Sequence, residues 1–209
     1  LGGYDPYSAS KAAAELLVNS FRRSFGAQAG LLVATARAGN VIGGGDASED
    51  RIIPDAIKAI RNKSALIVRN PEATRPWQHV LEPLSGYLLL GSKLLGGQES
   101  VGDAWNFGPG AEGNQTVHAL LETFSRNWPD LHWKAEQDKR MHEANFLYLN
   151  TDKARASLDW KPVWSFEKAV ANTASWYRSF YQDNTTVTGQ QLQQFISDAR
   201  NAGAIWCQI

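Results

Sequence analysis

The chain has 209 residues, of which 43% are hydrophobic and 20% charged, a composition ordinary for a soluble globular protein. Basic and acidic residues number 21 each, so the net charge gives no reason to expect a nucleic acid as the main partner. The single cysteine, Cys207, excludes an internal disulfide and a cysteine-based structural zinc site. No apolar run reaches the roughly 18 residues that cross a bilayer, so we expect a cytoplasmic protein with no membrane partner.

The first predicted elements are a helix and a strand. The chain starts with Leu1 rather than Met, so we expect that an upstream segment is missing. Behind Pro6, apolar residues at helical spacing predict a helix over residues 7–25 that ends near Gly26. The apolar run at 31–36 predicts a strand that is buried on both faces of a parallel sheet. A helix followed by a buried strand indicates α/β winding.

A glycine-rich loop follows the predicted strand at residues 39–46, with the sequence Gly-Asn-Val-Ile-Gly-Gly-Gly-Asp. Its glycines let the backbone approach a ligand closely, and the carboxyl end of a parallel strand is where α/β folds bind ligands. Taken alone, the loop is equally consistent with a flexible surface turn. It lacks the Gly-Lys-Ser/Thr ending of an ATP-type phosphate loop.

The rest of the chain alternates helices and strands before becoming helical. Helices are predicted at 54–61, 82–95 and 117–128, and strands at 65–69, 77–80, 104–107, 132–136 and 146–149. Thr151 and Ser165 are predicted N-caps, and Ser165 opens a helix that reaches Tyr181. Residues 183–189 are a candidate linker before a last helix at 190–202.

One pair of residues on the first helix suits acid–base chemistry. In Tyr-Ser-Ala-Ser-Lys at residues 7–11, a phenol and an ammonium stand four residues apart, on one helix face. The charge of Lys11 near Tyr7 favours the ionised phenol, which can act as acid or base near neutral pH. The same spacing also arises by chance, so the pair alone does not identify an enzyme.

The histidines give a weaker signal. His79 lies on a short predicted strand, where a histidine is more often a structural hydrogen-bonding group than a catalytic one. His118 and His132 have no carboxylate or cysteine neighbours at metal-ligand spacing. We therefore predict no metal site.

Several segments in order resemble one family across nearly the whole chain. These are GGYDPYSASKAAAE at 2–15, RAGNVIGGGD at 37–46, DRIIPD at 50–55, ATRPWQHVLEPLSGYLLL at 73–90 and WNFGP at 105–109. The sequence resembles the extended short-chain dehydrogenases that act on nucleotide sugars, and most closely the CDP-glucose 4,6-dehydratases. The resemblance implies NAD-dependent dehydration of CDP-D-glucose to CDP-4-dehydro-6-deoxy-D-glucose, a step of deoxysugar or O-antigen biosynthesis, in a cytoplasmic homodimer.

The resemblance also assigns residues. It implies that Tyr7 and Lys11 are catalytic and contact the NAD ribose, with Val41 near the nicotinamide. The substrate-binding residues that it implies are Asn40, Arg51, Arg75, Asn106 and His142. The expected fold is the C-terminal part of a Rossmann-like, doubly wound parallel sheet, plus a smaller mixed α/β substrate domain.

The resemblance predicts how the chain divides. Residues 1–46 are expected to be a remnant of the NAD-binding domain and 47–185 mainly the substrate domain, with 73–95 returning to the Rossmann part. Residues 186–209 are expected to form a C-terminal helical extension. The glycine-rich dinucleotide fingerprint and the acid and base for water elimination are expected upstream of Leu1, so the fragment alone is expected to be inactive.

Two alternatives to dehydration are open at this point. A nucleotide-sugar epimerase or decarboxylase of the same family would use the same tyrosine. A non-catalytic module that binds a ligand without turnover would have the same fold, because fold alone does not decide the chemistry.

Overall fold

The structure is a computed structural model that describes residues 5–136 and 147–208. Its helices are α1 (Pro6–Phe21), α2 (Ala27–Ala29), α3 (Ile52–Arg61), α4 (Leu81–Leu95), α5 (Val117–Asn127), α6 (Asp152–Leu158), α7 (Phe166–Gln182) and α8 (Thr188–Asn201). Its strands are β1 (Thr35–Ala38), β2 (Asn40–Ile42), β3 (Leu66–Val68), β4 (Thr74–His79), β5 (Ala104–Phe107), β6 (Asn114–Thr116) and β7 (Trp133–Ala135). The fold is therefore α/β, as predicted.

Most strand pairs within the described residues are parallel. Strand β1 pairs with β5, β2 with β4 and β3 with β7, all in parallel, while β6 runs antiparallel along the other side of β4. Helix α4 follows β4 directly, and α5 follows β6 directly, so helices connect the strands as parallel pairing requires. Residues directly after β2, β3 and β4 line one common cleft, so the carboxyl ends of these three strands face the same region.

Most predicted elements are confirmed within a few residues, and the exceptions have local causes. The predicted strand at 31–36 was wrong in extent: the strand is Thr35–Ala38, because pairing with β5 begins only where Thr35 meets Ala104. It is also not buried on both faces, since Leu31 is exposed and β1 is only half-buried.

Two strands were missed and one was wrongly predicted. Asn40–Ile42, predicted as loop, is strand β2, which forms by pairing with Trp77–His79 of β4. The polar Asn114–Thr116 forms β6 at the edge of the same sheet. Of the predicted strand at 146–149, residue 146 lies outside the described part of the chain, and 147–149 have no strand structure.

The buried apolar residues form two clusters. One joins α3, α5 and α7 to β2 and β3, with Leu120, Phe124 and Val170 at its centre. The other joins α4 and α6 to β5 around Phe107 and Trp160, both of which are completely buried.

The division into domains predicted from the sequence stays a prediction. Within residues 5–136 and 147–208, no helix combines the length and apolar character that crossing a membrane requires.

Candidate functional site

The start of α1 fixes the position of the first two candidate residues. Asp5 caps the helix because its carboxylate accepts the backbone N–H of Ser8 at 2.9 Å. In return, the Ser8 hydroxyl accepts the backbone N–H of Asp5. Pro6 occupies the first turn, where its missing N–H costs nothing. This reciprocal cap starts the helix immediately before Tyr7, so residues 7 and 11 lie one turn apart on regular helix.

Tyr7 and Lys11 come together as their spacing predicts. The Lys11 Nζ lies 5.6 Å from the centre of the Tyr7 ring. The Tyr7 side chain is 68% exposed, and both residues line the same cleft. A phenol and an ammonium are thus available side by side to a ligand in this cleft.

Asn40 and Val41 reach the cleft because β1 and β2 are separated by a single residue, Gly39. A side chain at Gly39 would place its Cβ 2.6 Å from the carbonyl oxygen of Pro76, so only glycine allows this approach. Directly beyond it, Asn40 pairs with Trp77 on β4. Val41 follows with an exposed side chain on the cleft wall.

The cleft has a volume of about 1120 Å³ and contains most of the predicted site. Its lining includes Tyr7, Lys11, Asn40, Val41, Arg51 and Arg75. Arg51 stands immediately before α3, where its side chain makes no cap bond, and Arg75 lies on β4. Six predicted residues from four separate segments of the sequence therefore line one cavity large enough for a nucleotide sugar and part of a dinucleotide.

Of the other two predicted residues, one is absent from the described lining of this cleft and one lies outside the described residues. Asn106 accepts a bond from Arg37 Nε at 2.7 Å and donates to the carbonyl oxygen of Asn150 at 2.9 Å. Its amide is thus engaged within the protein, and it is absent from the described lining of the cleft. His142 lies outside the described residues. Both substrate-binding assignments stay predictions.

Two arginines of the cleft were missed. Arg37, at the end of β1, lines it while bound to Glu15 at 2.8 Å and to Asn106. Arg69 lines it directly after β3. A signal was present in both cases, because residues at the carboxyl ends of parallel strands face the ligand crevice of α/β folds.

The charges of the cleft favour an anion. Its described lining contains five basic residues and three acidic ones; these are Lys11, Arg37, Arg51, Arg69 and Arg75, and Asp46, Asp50 and Asp55. Burial raises the pKa of Asp55, and the charge of nearby Asp50 raises it further. No three His, Cys, Asp or Glu side chains cluster as a metal site anywhere in the described part of the chain.

Comparison with known proteins places these features in a family. The family model described as GDP-mannose 4,6 dehydratase matches residues 2–173. The chain is 38% identical over 205 residues to a CDP-glucose 4,6-dehydratase of Salmonella typhimurium; the match covers 94% of this chain and 57% of that protein. The chain thus spans little more than half the length of this relative.

Solved structures share the fold. An epimerase from Methanothermobacter thermautotrophicus superimposes with a TM-score of 0.74 at 22% identity, covering 87% of this chain and 52% of that one. A dTDP-glucose 4,6-dehydratase from Bacillus anthracis, in complex with NAD, superimposes with a TM-score of 0.67 at 20% identity, covering 87% and 55%. At these identities the likeness supports the fold alone.

Proposed function

The chain belongs to the GDP-mannose 4,6-dehydratase family, and from this premise we propose that the whole protein dehydrates CDP-D-glucose to CDP-4-dehydro-6-deoxy-D-glucose. The observation that carries the proposal is the cleft that unites Tyr7 and Lys11 with Asn40, Arg51 and Arg75. The 38% identity to a CDP-glucose 4,6-dehydratase supports the choice of reaction and nucleotide. The product is an intermediate suited to deoxysugar biosynthesis.

The residues of the cleft fit a nicotinamide dinucleotide. Tyr7 and Lys11 offer a hydroxyl and an ammonium to ribose hydroxyls, and the exposed side chain of Val41 offers an apolar surface to a nicotinamide ring. NAD, when bound, supplies a hydride acceptor for sugar oxidation and returns the hydride later, so that dehydration needs no external oxidant.

Residues of this chain perform the first proton step. Tyr7, as phenolate, takes the proton from the sugar O4 while C4 is oxidised to a ketone. Lys11, whose Nζ lies 5.6 Å from the centre of the Tyr7 ring, offers its ammonium to the ribose hydroxyls beside the reacting groups. The ketone acidifies the C5 proton; a base of the whole protein, outside the described residues, would take that proton while an acid protonates the C6 hydroxyl, which leaves as water.

The basic residues of the cleft suit the diphosphate. Arg51 and Arg75 carry guanidinium groups, which form paired charge-assisted hydrogen bonds with phosphate oxygens. The excess of five basic residues over three carboxylates in the described lining of the cleft favours a ligand that carries two negative charges. The homodimer and the cytoplasmic location implied by the resemblance stay predictions.

The experiment is a substrate comparison with the whole protein. We expect turnover of CDP-glucose with a kcat/KM at least tenfold above those for UDP-glucose and dTDP-glucose, measured by the ultraviolet absorbance of the keto sugar in alkali. NMR of the product distinguishes a 4-keto-6-deoxy sugar from a 4-epimer or a decarboxylated sugar. An epimer, or no product from any of the three, would contradict the proposal.

A further inference from the structure

The glycine loop, defined here as residues 43–46, leaves β2 and forms part of the cleft wall through Gly43, Gly44 and Asp46. Its inner side packs on Val80, since a Cβ at Gly43 would lie 2.9 Å from the Val80 Cγ1. Its outer side is covered by α7, which is far away in the sequence. The loop is therefore packed between Val80 on one side and α7 on the other.

Trp176 of α7 covers the outer side of this loop. A Cβ at Gly44 would overlap the indole ring, so the contact requires glycine at that position. The ring is fixed from behind, because its Nε1 donates to the Thr188 hydroxyl of α8 at 2.7 Å and it stacks on Phe180 at 5.2 Å. An indole anchored in this way limits outward movement of the loop.

Tyr177, the next residue of α7, holds the loop by a hydrogen bond. Its hydroxyl donates to the backbone carbonyl of Asp46 at 2.7 Å, and its side chain is buried. Burial raises the pKa of Tyr177 to about 12, so the phenol stays protonated and able to donate at any physiological pH. Ring packing and this bond fix two neighbouring points of the same loop.

We infer that Trp176 and Tyr177 are positioning residues that hold the glycine loop in the conformation that binds the nucleotide sugar. The inference rests on the proposed function only for the identity of the ligand. The residues act through the loop backbone and do not line the described cleft themselves. Loss of either contact should weaken ligand binding more than it slows the chemistry, because the loop contributes to binding before the reaction.

Tyr177→Phe is the first test, and Tyr181→Phe is its matched control. Both remove one tyrosine hydroxyl from α7, but the Tyr181 ring packs on Tyr177 and Arg61 rather than on the loop. In the whole, ligand-free protein, we expect Tyr177→Phe to speed amide hydrogen exchange at residues 43–48 about fivefold, the effect of one net hydrogen bond. Tyr181→Phe should leave that exchange unchanged. Equal exchange in both variants would overturn the inference.

Kinetics with CDP-glucose separate positioning from mere stability. We expect Tyr177→Phe to raise KM about fivefold while kcat stays within twofold of the parent. A fall in kcat at unchanged KM would overturn the inference. If the parent does not turn over CDP-glucose, the proposed function fails, while the hydrogen-exchange result still decides whether the loop is held by α7.

A double-mutant cycle tests the indole contact. Gly44→Ala should weaken CDP binding more than tenfold in the parent, because the new methyl displaces the loop from the ring. In a Trp176→Leu background, where the ring is gone, the same change should cost less than twofold, measured by titration calorimetry with CDP. Additive effects would overturn the assignment of Trp176, and thermal melts establish that each variant is folded.

Discussion

The Glu82 carboxylate accepts the backbone N–H of Trp164 at 2.6 Å, so a completely buried acid on α4 holds the chain that leads into α7. Its second oxygen accepts the N–H of Val163 at 2.9 Å. Both carboxylate oxygens are therefore used to fasten the connection between α6 and α7. Burial raises the pKa of Glu82 to about 7, although both hydrogen bonds act in the opposite direction.

Glu82→Gln should change how stability depends on pH. The folded pKa of about 7 exceeds the ordinary value of 4.5, so the folded protein binds more protons than the unfolded chain between these values. The contribution of Glu82 to stability is thus complete below pH 4.5 and lost as pH rises through 7. We expect the difference in unfolding free energy, parent minus variant, to fall by about 3 kcal/mol from pH 4.5 to 7.5. Urea unfolding at intervals of one pH unit measures it, and a constant difference would contradict the prediction.

His79 should show the opposite dependence. Burial lowers its pKa from 6.5 to about 4, so the unfolded chain binds more protons between these values. Its Nδ1 accepts the N–H of Leu81 at 3.4 Å, and its ring packs edge-on against Trp164 at 4.8 Å. For His79→Asn, the parent-minus-variant difference should rise by about 3 kcal/mol from pH 4 to 6.5. A difference that falls over this range would exclude a buried neutral imidazole.

Elements with strong local signals were predictable from the sequence. The apolar spacing at 117–128 predicted α5, whose Leu120 and Phe124 are completely buried, and the run at 104–107 predicted β5. Strand β2 was not predictable, because Asn40–Ile42 lies among glycines and becomes a strand only through pairing with β4. Tertiary contacts determine the strand conformation of that segment, and the local sequence preferences do not indicate those contacts.

The contacts of the site likewise include some that the local sequence predicts and others that it does not. The spacing of Tyr7 and Lys11 predicted their contact, since both lie on one helix. The bond from Tyr177 to Asp46 joins residues 131 positions apart, and no pattern within either segment indicates it. Asn106, which the resemblance assigns to the substrate, bonds Arg37 because β5 lies beside β1, and its sequence does not indicate that bond either.

Two glycines of α4 should respond oppositely to alanine. At Gly86 a Cβ would overlap the completely buried ring of Phe107, so Gly86→Ala should destabilise the protein by about 1–3 kcal/mol. At Gly91 nothing lies within 4 Å of the new Cβ, so Gly91→Ala should stabilise it by about 0.5–1 kcal/mol through helix propensity. Urea unfolding of the whole protein measures both. Equal effects of the two changes would mean that α4 does not pack closely on β5.

Arg75→Ala should weaken binding of the nucleotide sugar and leave NAD binding unchanged. A charge-assisted bond to phosphate contributes about 1.5–3 kcal/mol, so we expect a loss of roughly 10- to 150-fold in CDP affinity. Arg75→Lys should recover only part of it, because an ammonium cannot form the paired bond. Arg178→Ala is the control, since Arg178 donates to the carbonyl oxygen of Asn127 away from the cleft. Titration calorimetry with CDP that gives equal affinities for parent and Arg75→Ala would remove Arg75 from the diphosphate site.

Tyr7→Phe tests the proposed proton acceptor in the whole protein. The change keeps the ring beside Lys11 and removes only the hydroxyl, so CDP affinity should stay within twofold. Turnover of CDP-glucose should fall by about 10²- to 10⁴-fold, the usual contribution of a general acid or base. Tyr181→Phe, which removes a hydroxyl away from the cleft, should retain parental turnover. Because KM and kcat are measured separately, a Tyr7→Phe variant with near-parental kcat would show that another group takes the O4 proton.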